Sequence, residues 1–217
     1  MNQPPPDILS ADWWSHFRRD VFQLVAWGYQ IEEAEIRRQH LEPRITGLIR
    51  KGINTKLDEG LPPRFQMYSA HNEDPVDDNT STMGNDRPRV DVLIECSGSR
   101  PRRRYRLEAK RCARTVNPIG WYTSGIDPYL DGRYAQDAPE AGLLGLVQSD
   151  STTYWKDQLV EKLRNDTTLN CVAPLSDEPI TVDLPGTSSS QHTRCNNSPI
   201  TLLHAFLDCR SDAGNDT

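Results

Sequence analysis

Asp91, Glu108 and Lys110 are the residues whose types and spacing could do chemistry. They lie in two runs of alternating polar and apolar residues that flank a turn, which predicts a β-hairpin. If the turn is centred between Ser99 and Arg100, Asp91 lies directly opposite Glu108. Lys110 then shares their face, since side chains alternate along a strand. Two opposed carboxylates repel one another unless a cation lies between them, so the hairpin predicts a cation-binding site.

The other face of the predicted hairpin is apolar, and we expect it to pack on the core. It is formed by Val90, Val92, Ile94, Tyr105, Leu107 and Ala109.

A cluster of basic residues follows the turn, although the whole chain has a net charge of -6. Because the local charge decides phosphate contact, the cluster predicts a nucleic-acid-binding surface. A solvated hairpin tip is the alternative, and a charge run alone would favour it. The candidate phosphate-binding residues are Arg102, Arg103, Arg104, Arg106, Arg111 and Arg114.

Helices before the hairpin must help to position these groups. Apolar stripes predict helices over 11–27 and 30–41, interrupted at Gly28, and a third helix that begins near Pro43. Glu42 lies at the start of this third helix, near its core-facing surface. A first-turn acid that complements the helix dipole is the alternative role for Glu42.

The remaining pattern predicts further strands and one more helix. A short helix after Gly125 could present Arg133 and Tyr134 to the site. The other predicted elements are an edge strand over 64–70, a solvated loop over 71–87, a buried strand over 141–148, a helix over 152–164 capped by Ser151, a loop over 174–199 with a short strand at 180–184, and a last strand over 199–209.

Length and composition indicate a single polar α/β domain. The chain has 217 residues, of which 35% are hydrophobic and 26% charged, and its mean hydropathy is -0.70. We divide it into an N-terminal helical element (11–41), a core (42–209) and a tail (210–217). Its apolar runs are too short to span a bilayer and residues 1–6 lack signal-peptide features, so we expect a cytoplasmic protein without a membrane partner.

The cysteines also indicate a reducing compartment, because there are five of them and none forms a CxxC pair. His192 lies near Cys195, and His204 near Cys209. This spacing is poor for a zinc site, so buried or scattered thiols are the expected interpretation.

The acids and the order of elements together resemble the PD-(D/E)xK nuclease superfamily. Its restriction-endonuclease-like fold has an αβββαβ core, with an acid on the second strand and (D/E)-x-K on the third. Asp91 in Arg-Val-Asp-Val-Leu-Ile and the run Glu108-Ala109-Lys110 match this signature, and Glu42 is similar to the helix-borne acid that several families add. Val90 stands where the nominal motif has proline. The resemblance covers 42–209 and implies an α/β fold with a mixed central sheet flanked by helices.

The resemblance implies an endonuclease that uses Mg²⁺ or Mn²⁺ to hydrolyse phosphodiester bonds of nucleic acid, with DNA as the expected substrate. Asp91, Glu108 and the carbonyl of Ala109 would hold the metal, and Glu42 would bind it directly or through water. Lys110 would orient the attacking water and stabilise the charge that develops on the phosphate.

Two further segments, Gly132-Arg-Tyr-Ala and Gly142-Leu-Leu-Gly-Leu-Val, resemble parts of bacterial restriction and phage-defence members of the superfamily. They imply an effector subunit. The sequence has no Walker A loop, so an NTPase or sensor would be a separate chain. Cleavage of both strands would favour a homodimer.

Two other kinds of function are open alternatives. The first is a catalytically inactive module that binds nucleic acid or a partner protein, and the second is a purely structural subunit. Within the nuclease interpretation, DNA and RNA, single strands and double strands all remain possible substrates.

Overall fold

The computed structural model describes residues 8–75, 89–98, 102–114 and 117–212. It shows a mixed α/β protein in which helices flank a seven-stranded mixed sheet. The helices are α1 (Ile8–Glu32), α2 (Glu42–Asp58), α3 (Pro118–Thr123), α4 (Asp127–Leu130) and α5 (Thr152–Asn165), with 3-10 turns at Glu33–Glu35, Pro63–Met67 and Thr167–Leu169. The strands are β1 (Tyr68–Pro75), β2 (Arg89–Cys96), β3 (Arg103–Cys112), β4 (Glu140–Val147), β5 (Cys171–Asp177), β6 (Ser188–Thr193) and β7 (Pro199–Asp208).

The strand order in the sheet is β1-β2-β3-β4-β7-β6-β5. The first three strands form an antiparallel meander. β4 is parallel to both β3 and β7, and the last strands, β7, β6 and β5, are antiparallel. Parallel neighbours require crossover connections, which here carry α3 and α4 between β3 and β4, and α5 between β4 and the later strands. None of the described helices combines the length and the apolar character that crossing a membrane requires.

The predicted hairpin is confirmed, but the predicted pair Asp91–Glu108 lies just beyond the end of the observed β2–β3 ladder. The pairs run from Val92–Leu107 to Cys96–Arg103, which is the register of a turn centred between Ser99 and Arg100. Its apolar face is confirmed as well, because all six predicted residues are buried. Residues 99–101 of the turn itself lie outside the described residues.

One apolar cluster lies on each face of the sheet. On the first face, α1 and α2 pack on Val92, Leu107 and other strand residues of that face. On the second face, α3, α4 and α5 pack on the alternate strand residues, such as Leu143 and Val147. All eight residues of β4 are buried, as predicted for this segment, because the strand has neighbours on both edges and helices on both faces.

A single helix replaces the two helices predicted over 11–27 and 30–41. α1 continues through Gly28 to Glu32, and the chain then forms a 3-10 turn. Gly28 is a packing position rather than a break, since a Cβ there would lie 2.5 Å from the backbone oxygen of Ile49. A Cβ on Gly52 would lie 2.3 Å from the backbone oxygen of Gly28. The two glycines therefore let α1 and α2 cross in close contact.

Three other predictions need correction. The edge strand predicted over 64–70 begins only at Tyr68, after the 3-10 turn at Pro63–Met67. The loop predicted over 71–87 is a strand as far as Pro75, and 76–88 lie outside the described residues. The short strand predicted at 180–184 is wrong, because that segment is a turn between β5 and β6.

The loop predicted over 174–199 contains the end of β5 and all of β6. β6 was not predicted because its sequence, Ser-Ser-Ser-Gln-His-Thr, has no apolar residue. Its inward side chains, Ser188, Ser190 and His192, are nevertheless buried. The predictions of α5 with its Ser151 cap and of β7 as the last strand are confirmed. The predicted tail from residue 210 is described only to residue 212, and 213–217 lie outside the described residues.

In the apolar cluster under α3, α4 and α5, four polar side chains form a chain of hydrogen bonds that run in one direction. His192 Nδ1 lies 2.7 Å from the carbonyl oxygen of Leu169, so this nitrogen must carry the proton. His192 Nε2 then accepts from Ser190 Oγ (2.7 Å), and Ser190 Oγ accepts from His204 Nε2 (2.8 Å). His204 Nδ1 accepts in turn from the Tyr122 hydroxyl at 3.0 Å. The chain satisfies two buried imidazoles without any charge.

Candidate functional site

The structure brings together the four acidic and basic side chains that the sequence singled out. Glu108 and Lys110 lie on β3, on the face covered by α3 and α4, and Asp91 comes from the adjacent strand β2. Lys110 is central, with its Nζ 2.7 Å from Glu108 Oε1 and 3.7 Å from Glu42 Oε1. The result is a small, largely buried cluster of one cation and three acids.

Asp91 and Glu42 accept hydrogen bonds from backbone amides of β3 at the point where β2 and β3 separate. The β2–β3 ladder ends at the Val92–Leu107 pair. Beyond it, the amide of Ala109 donates to Asp91 Oδ2 at 2.8 Å, and the amide of Arg111 donates to Glu42 Oε2 at 3.2 Å. These bonds fix the orientation of both carboxylates, because a buried amide needs an acceptor.

Glu108 lies in an electrostatically unfavourable environment. Its Oε1 accepts from Lys110, whereas its Oε2 is buried and has no hydrogen-bond partner within the described part of the chain. Burial and the nearby charge of Asp91 raise the pKa of Glu108 to about 7, although Lys110 opposes the shift. An additional cation beside Oε2 would relieve both the desolvation and the repulsion.

Two other members of the cluster, Glu42 and Lys110, also have shifted pKa values. Burial raises the pKa of Glu42, and the charge of Lys110 opposes this effect. Burial alone would lower the pKa of Lys110, but the charges of Glu108, Glu42 and Asp91 outweigh it and raise that pKa. Lys110 therefore stays protonated at neutral pH and acts as a fixed positive charge.

The segment between β3 and β4 covers the cluster closely. A Cβ on Gly125 would lie 3.2 Å from Lys110 Cγ and 3.3 Å from Glu108 Cγ. The Tyr134 hydroxyl donates to the carbonyl oxygen of Arg89 at 2.5 Å, and burial, together with the charge of Glu108, raises the pKa of Tyr134. Tyr134 thus lies beside the site as the sequence suggested, whereas Arg133 turns away and pairs with Asp131.

The predicted basic residues are distributed over three places. Arg102 and Arg104 both bind Glu95, at 2.9 and 3.0 Å. Arg103 lies on the opposite face, over the rings of Trp13 and Trp14.

The other three arginines extend along β3 and past its end. Arg106 precedes Glu108 by two residues and therefore shares its face of β3. Arg111 donates through Nε to Gln148 at 2.6 Å, and Arg114 forms an ion pair with Asp150 at 2.6 Å.

Sequence reasoning missed three residues around the site. Gly125 and Gln148 act through contacts that span long sequence separations, which no local pattern reveals. Trp121 lies over Lys110, with the ammonium 5.7 Å from the ring centroid. Trp121 lies on α3, which the sequence pattern did not predict, and a large aromatic residue in this segment was the only available signal.

The donor set fits a small divalent cation held by two carboxylates. Magnesium is usually bound by one or two protein acids, together with waters and substrate phosphate. Asp91 and Glu108 are oriented around the same stretch of β3, and Glu108 contributes an oxygen without a partner. Across the described ranges, no three His, Cys, Asp or Glu side chains converge as a metal-binding group. Glu42 is held instead by the Arg111 amide and Lys110.

In the described part of the chain, the histidines and cysteines form no metal-binding group of three or more side chains. His192 and His204 are engaged in the buried hydrogen-bond chain. All five cysteines are free thiols, three of them buried.

Comparisons of the chain with protein-family models, with curated proteins and with solved structures found no match.

Proposed function

We propose that the protein is a metal-dependent nuclease of the PD-(D/E)xK type. The observation that carries this proposal is that Asp91, Glu108 and Lys110 lie together where β2 and β3 separate, beyond the Val92–Leu107 pair. We call this point the β2–β3 fork. If Asp91, Glu108 and Lys110 each served only to stabilise the fold, there would be no reason to place two repelling acids, a lysine and a buried oxygen without a partner at one point. A site built to receive a cation and a phosphate explains all four features.

The order of elements supports the same proposal. α2 precedes the antiparallel meander of β1, β2 and β3, and a helical crossover then leads to β4, parallel to β3. This order is consistent with the αβββαβ order expected of a restriction-endonuclease-like core. The helix that would carry the additional acid is α2, and it carries Glu42.

Each side chain of the site has a role in this proposal. Asp91 and Glu108, with the carbonyl of Ala109, would hold Mg²⁺ or Mn²⁺, and Glu42 would bind the ion directly or through water. When bound, such an ion polarises a phosphodiester and lowers the pKa of a water molecule. Lys110 would hold that water in line and balance negative charge on the phosphate.

Arg104 and Arg106 would hold the phosphates that flank the scissile one. Both share the face of Glu108, and strand geometry spaces alternate residues by about 7 Å. Phosphate contacts position the substrate without reading its sequence, so this arrangement predicts a strong dependence on salt rather than on base sequence.

Cleavage assays with isosteric variants test the nuclease proposal. Purified protein with Mn²⁺ or Mg²⁺ is expected to cut at least one of three substrates, supercoiled plasmid, single-stranded circular DNA and structured RNA. Asp91→Asn and Lys110→Met are each expected to lower the rate at least about 100-fold. Glu161→Gln, which changes an exposed acid on α5, is the matched control and should cut normally.

Metal binding can be measured without any substrate. Mn²⁺ should raise the melting temperature of the unmodified protein and of the Lys110→Met variant, since a ligand that binds only the folded state stabilises it. Asp91→Asn should lose most of this increase while folding normally. If no metal changes the melting temperature and no substrate is cut, the nuclease proposal is wrong.

A nucleic-acid-binding module without catalysis is the second candidate. It is favoured by one observation, that Lys110 already neutralises part of the acidic cluster through its contacts with Glu108 and Glu42. In that case the protein should bind nucleic acid in a salt-dependent manner, and neither Asp91→Asn nor added metal should change the affinity.

A further inference from the structure

A cleft beside the acidic cluster is a surface feature that the proposed chemistry leaves unexplained. It has a volume of about 700 Å³, within the range of roughly 300–1,000 Å³ typical of small-molecule sites. Its lining residues are Leu41, Glu42, Pro43, Arg111, Ala113, Asn117, Gly120 and Trp121. The cleft shares Glu42 with the acidic cluster, so whatever occupies it lies next to the proposed reaction centre.

Trp121 gives the cleft an aromatic wall. The residue is 55% exposed, which is unusual for an indole that has a neighbouring apolar cleft available for burial. Lys110 Nζ lies 5.7 Å from its ring centroid. Trp121 therefore marks the boundary between the cleft and the charged groups that would hold a phosphate.

The chemistry of the cleft differs from that of the neighbouring cluster. Leu41, Pro43 and Ala113 contribute apolar wall, and Leu41 is 63% exposed. Cations lie at one side, where Lys110 and Arg111 adjoin it. An occupant that suits both parts has a flat apolar portion joined to an anionic portion.

We propose that this cleft receives an unpaired nucleobase of the strand that is cut, stacked on Trp121. The inference rests on the proposed function and specifies its substrate class, a single strand or a locally unpaired segment. Stacking on an aromatic side chain requires that a face of the base is free, whereas bases inside a duplex already have neighbours on both faces. Every base has such a face, so the cleft selects for unpaired nucleotides without selecting a sequence.

Binding measurements without metal test this inference separately from catalysis. The probes are a fluorescent single-stranded DNA 12-mer, the same 12-mer with abasic sites throughout, and its blunt duplex. Trp121→Ala is expected to weaken binding of the single strand by about 5- to 150-fold, since base–aromatic stacking contributes about 1–3 kcal/mol per base. Trp121→Phe should retain most of the affinity.

Two controls make the result specific. Tyr154→Ala removes another exposed aromatic residue, on α5 and outside the cleft, and should leave all three affinities unchanged. Neither Trp121 variant should alter binding of the abasic strand or the duplex. Melting temperatures of all variants show whether each is folded.

The outcomes separate this inference from the nuclease proposal. If Trp121→Ala binds the single strand as tightly as the unmodified protein does, or weakens all three probes equally, the inference is wrong even if the protein cuts nucleic acid. If binding of the single strand depends on Trp121 but no cleavage occurs with any metal, the cleft assignment stands and the nuclease proposal fails.

Discussion

His204 lies in the core with both ring nitrogens engaged, one by Tyr122 and the other by Ser190. Because His192 must donate to the Leu169 carbonyl, every hydrogen bond in the chain has only one possible direction. Burial and the neighbouring His192 lower the pKa of His204 to about 3. The fold therefore holds His204 in a single neutral tautomer.

This neutral state predicts a pH-dependent stability difference. The unfolded state protonates His204 near pH 6.5 and the folded state only near pH 3, so its contribution to stability is complete above pH 6.5 and is lost as the pH falls. Between pH 7.5 and 5, the unmodified protein should lose about 2 kcal/mol more of its free energy of unfolding than His204→Gln does.

Urea denaturation at several pH values measures this difference. His71→Gln, an exposed histidine on β1, is the control and should follow the unmodified protein. Parallel stability curves for the unmodified protein and His204→Gln would show that His204 is not held neutral.

Sequence reasoning succeeded at the residue scale where simple geometry sufficed. Counting outward from the hairpin turn placed Asp91 beside Glu108, and strand alternation placed Lys110 on their face. It did not place Trp121 over Lys110, because that contact depends on how the segment after β3 folds back on the sheet. It also grouped arginines that point to different faces, because adjacency in sequence is not adjacency on a strand.

The crossing of α1 and α2 shows why sequence alone misjudged a helix. Gly28 has the lowest helix propensity of any residue except proline, so the local pattern indicated a break there. Glycine is required at position 28 because its backbone contacts the backbone of Gly52, 24 residues away, too closely for either residue to carry a side chain. β6 was missed for a related reason, since its polar side chains are buried by hydrogen bonding to one another rather than by apolar contact.

Two alanine substitutions in the same helix should have opposite effects on stability. The Cβ of Gly52→Ala would meet the backbone oxygen of Gly28 at 2.3 Å, and backbone atoms cannot rotate away. Overpacking of this kind costs about 1–3 kcal/mol, so we expect a loss of that size. Gly47→Ala would meet only Asn72 Nδ2 at 3.6 Å, and it should gain up to about 1 kcal/mol from helix propensity.

Chemical denaturation of the two variants measures both effects under the same conditions. An unchanged or increased stability of Gly52→Ala would contradict the close crossing of the helices.

Across the whole molecule, stability should decrease from the centre of the sheet toward β5. β4 is buried along its full length and has parallel neighbours on both edges. β5 is the last strand of the sheet, its register with β6 shifts twice, and Val172 is 68% exposed. Local opening requires few contacts to be broken at such an edge.

Hydrogen exchange under native conditions should reveal this gradient. We expect the amides of β4 to exchange only through global unfolding, and those of β5 at least about tenfold faster. Equal protection of the two strands would mean that the sheet opens as a single unit.

The fork between β2 and β3 has a consequence for evolution. Asp91 and Glu42 accept hydrogen bonds from the amides of Ala109 and Arg111 that the ladder leaves unpaired, so each stabilises the fold whether or not the protein has an activity. Glu108 and Lys110 mainly neutralise each other's charge, so a descendant that no longer needs an activity could lose both residues together. Among descendants of this protein, survival of Asp91 and Glu42 would therefore indicate little about activity. Joint loss of Glu108 and Lys110 would identify the lineages that have abandoned it.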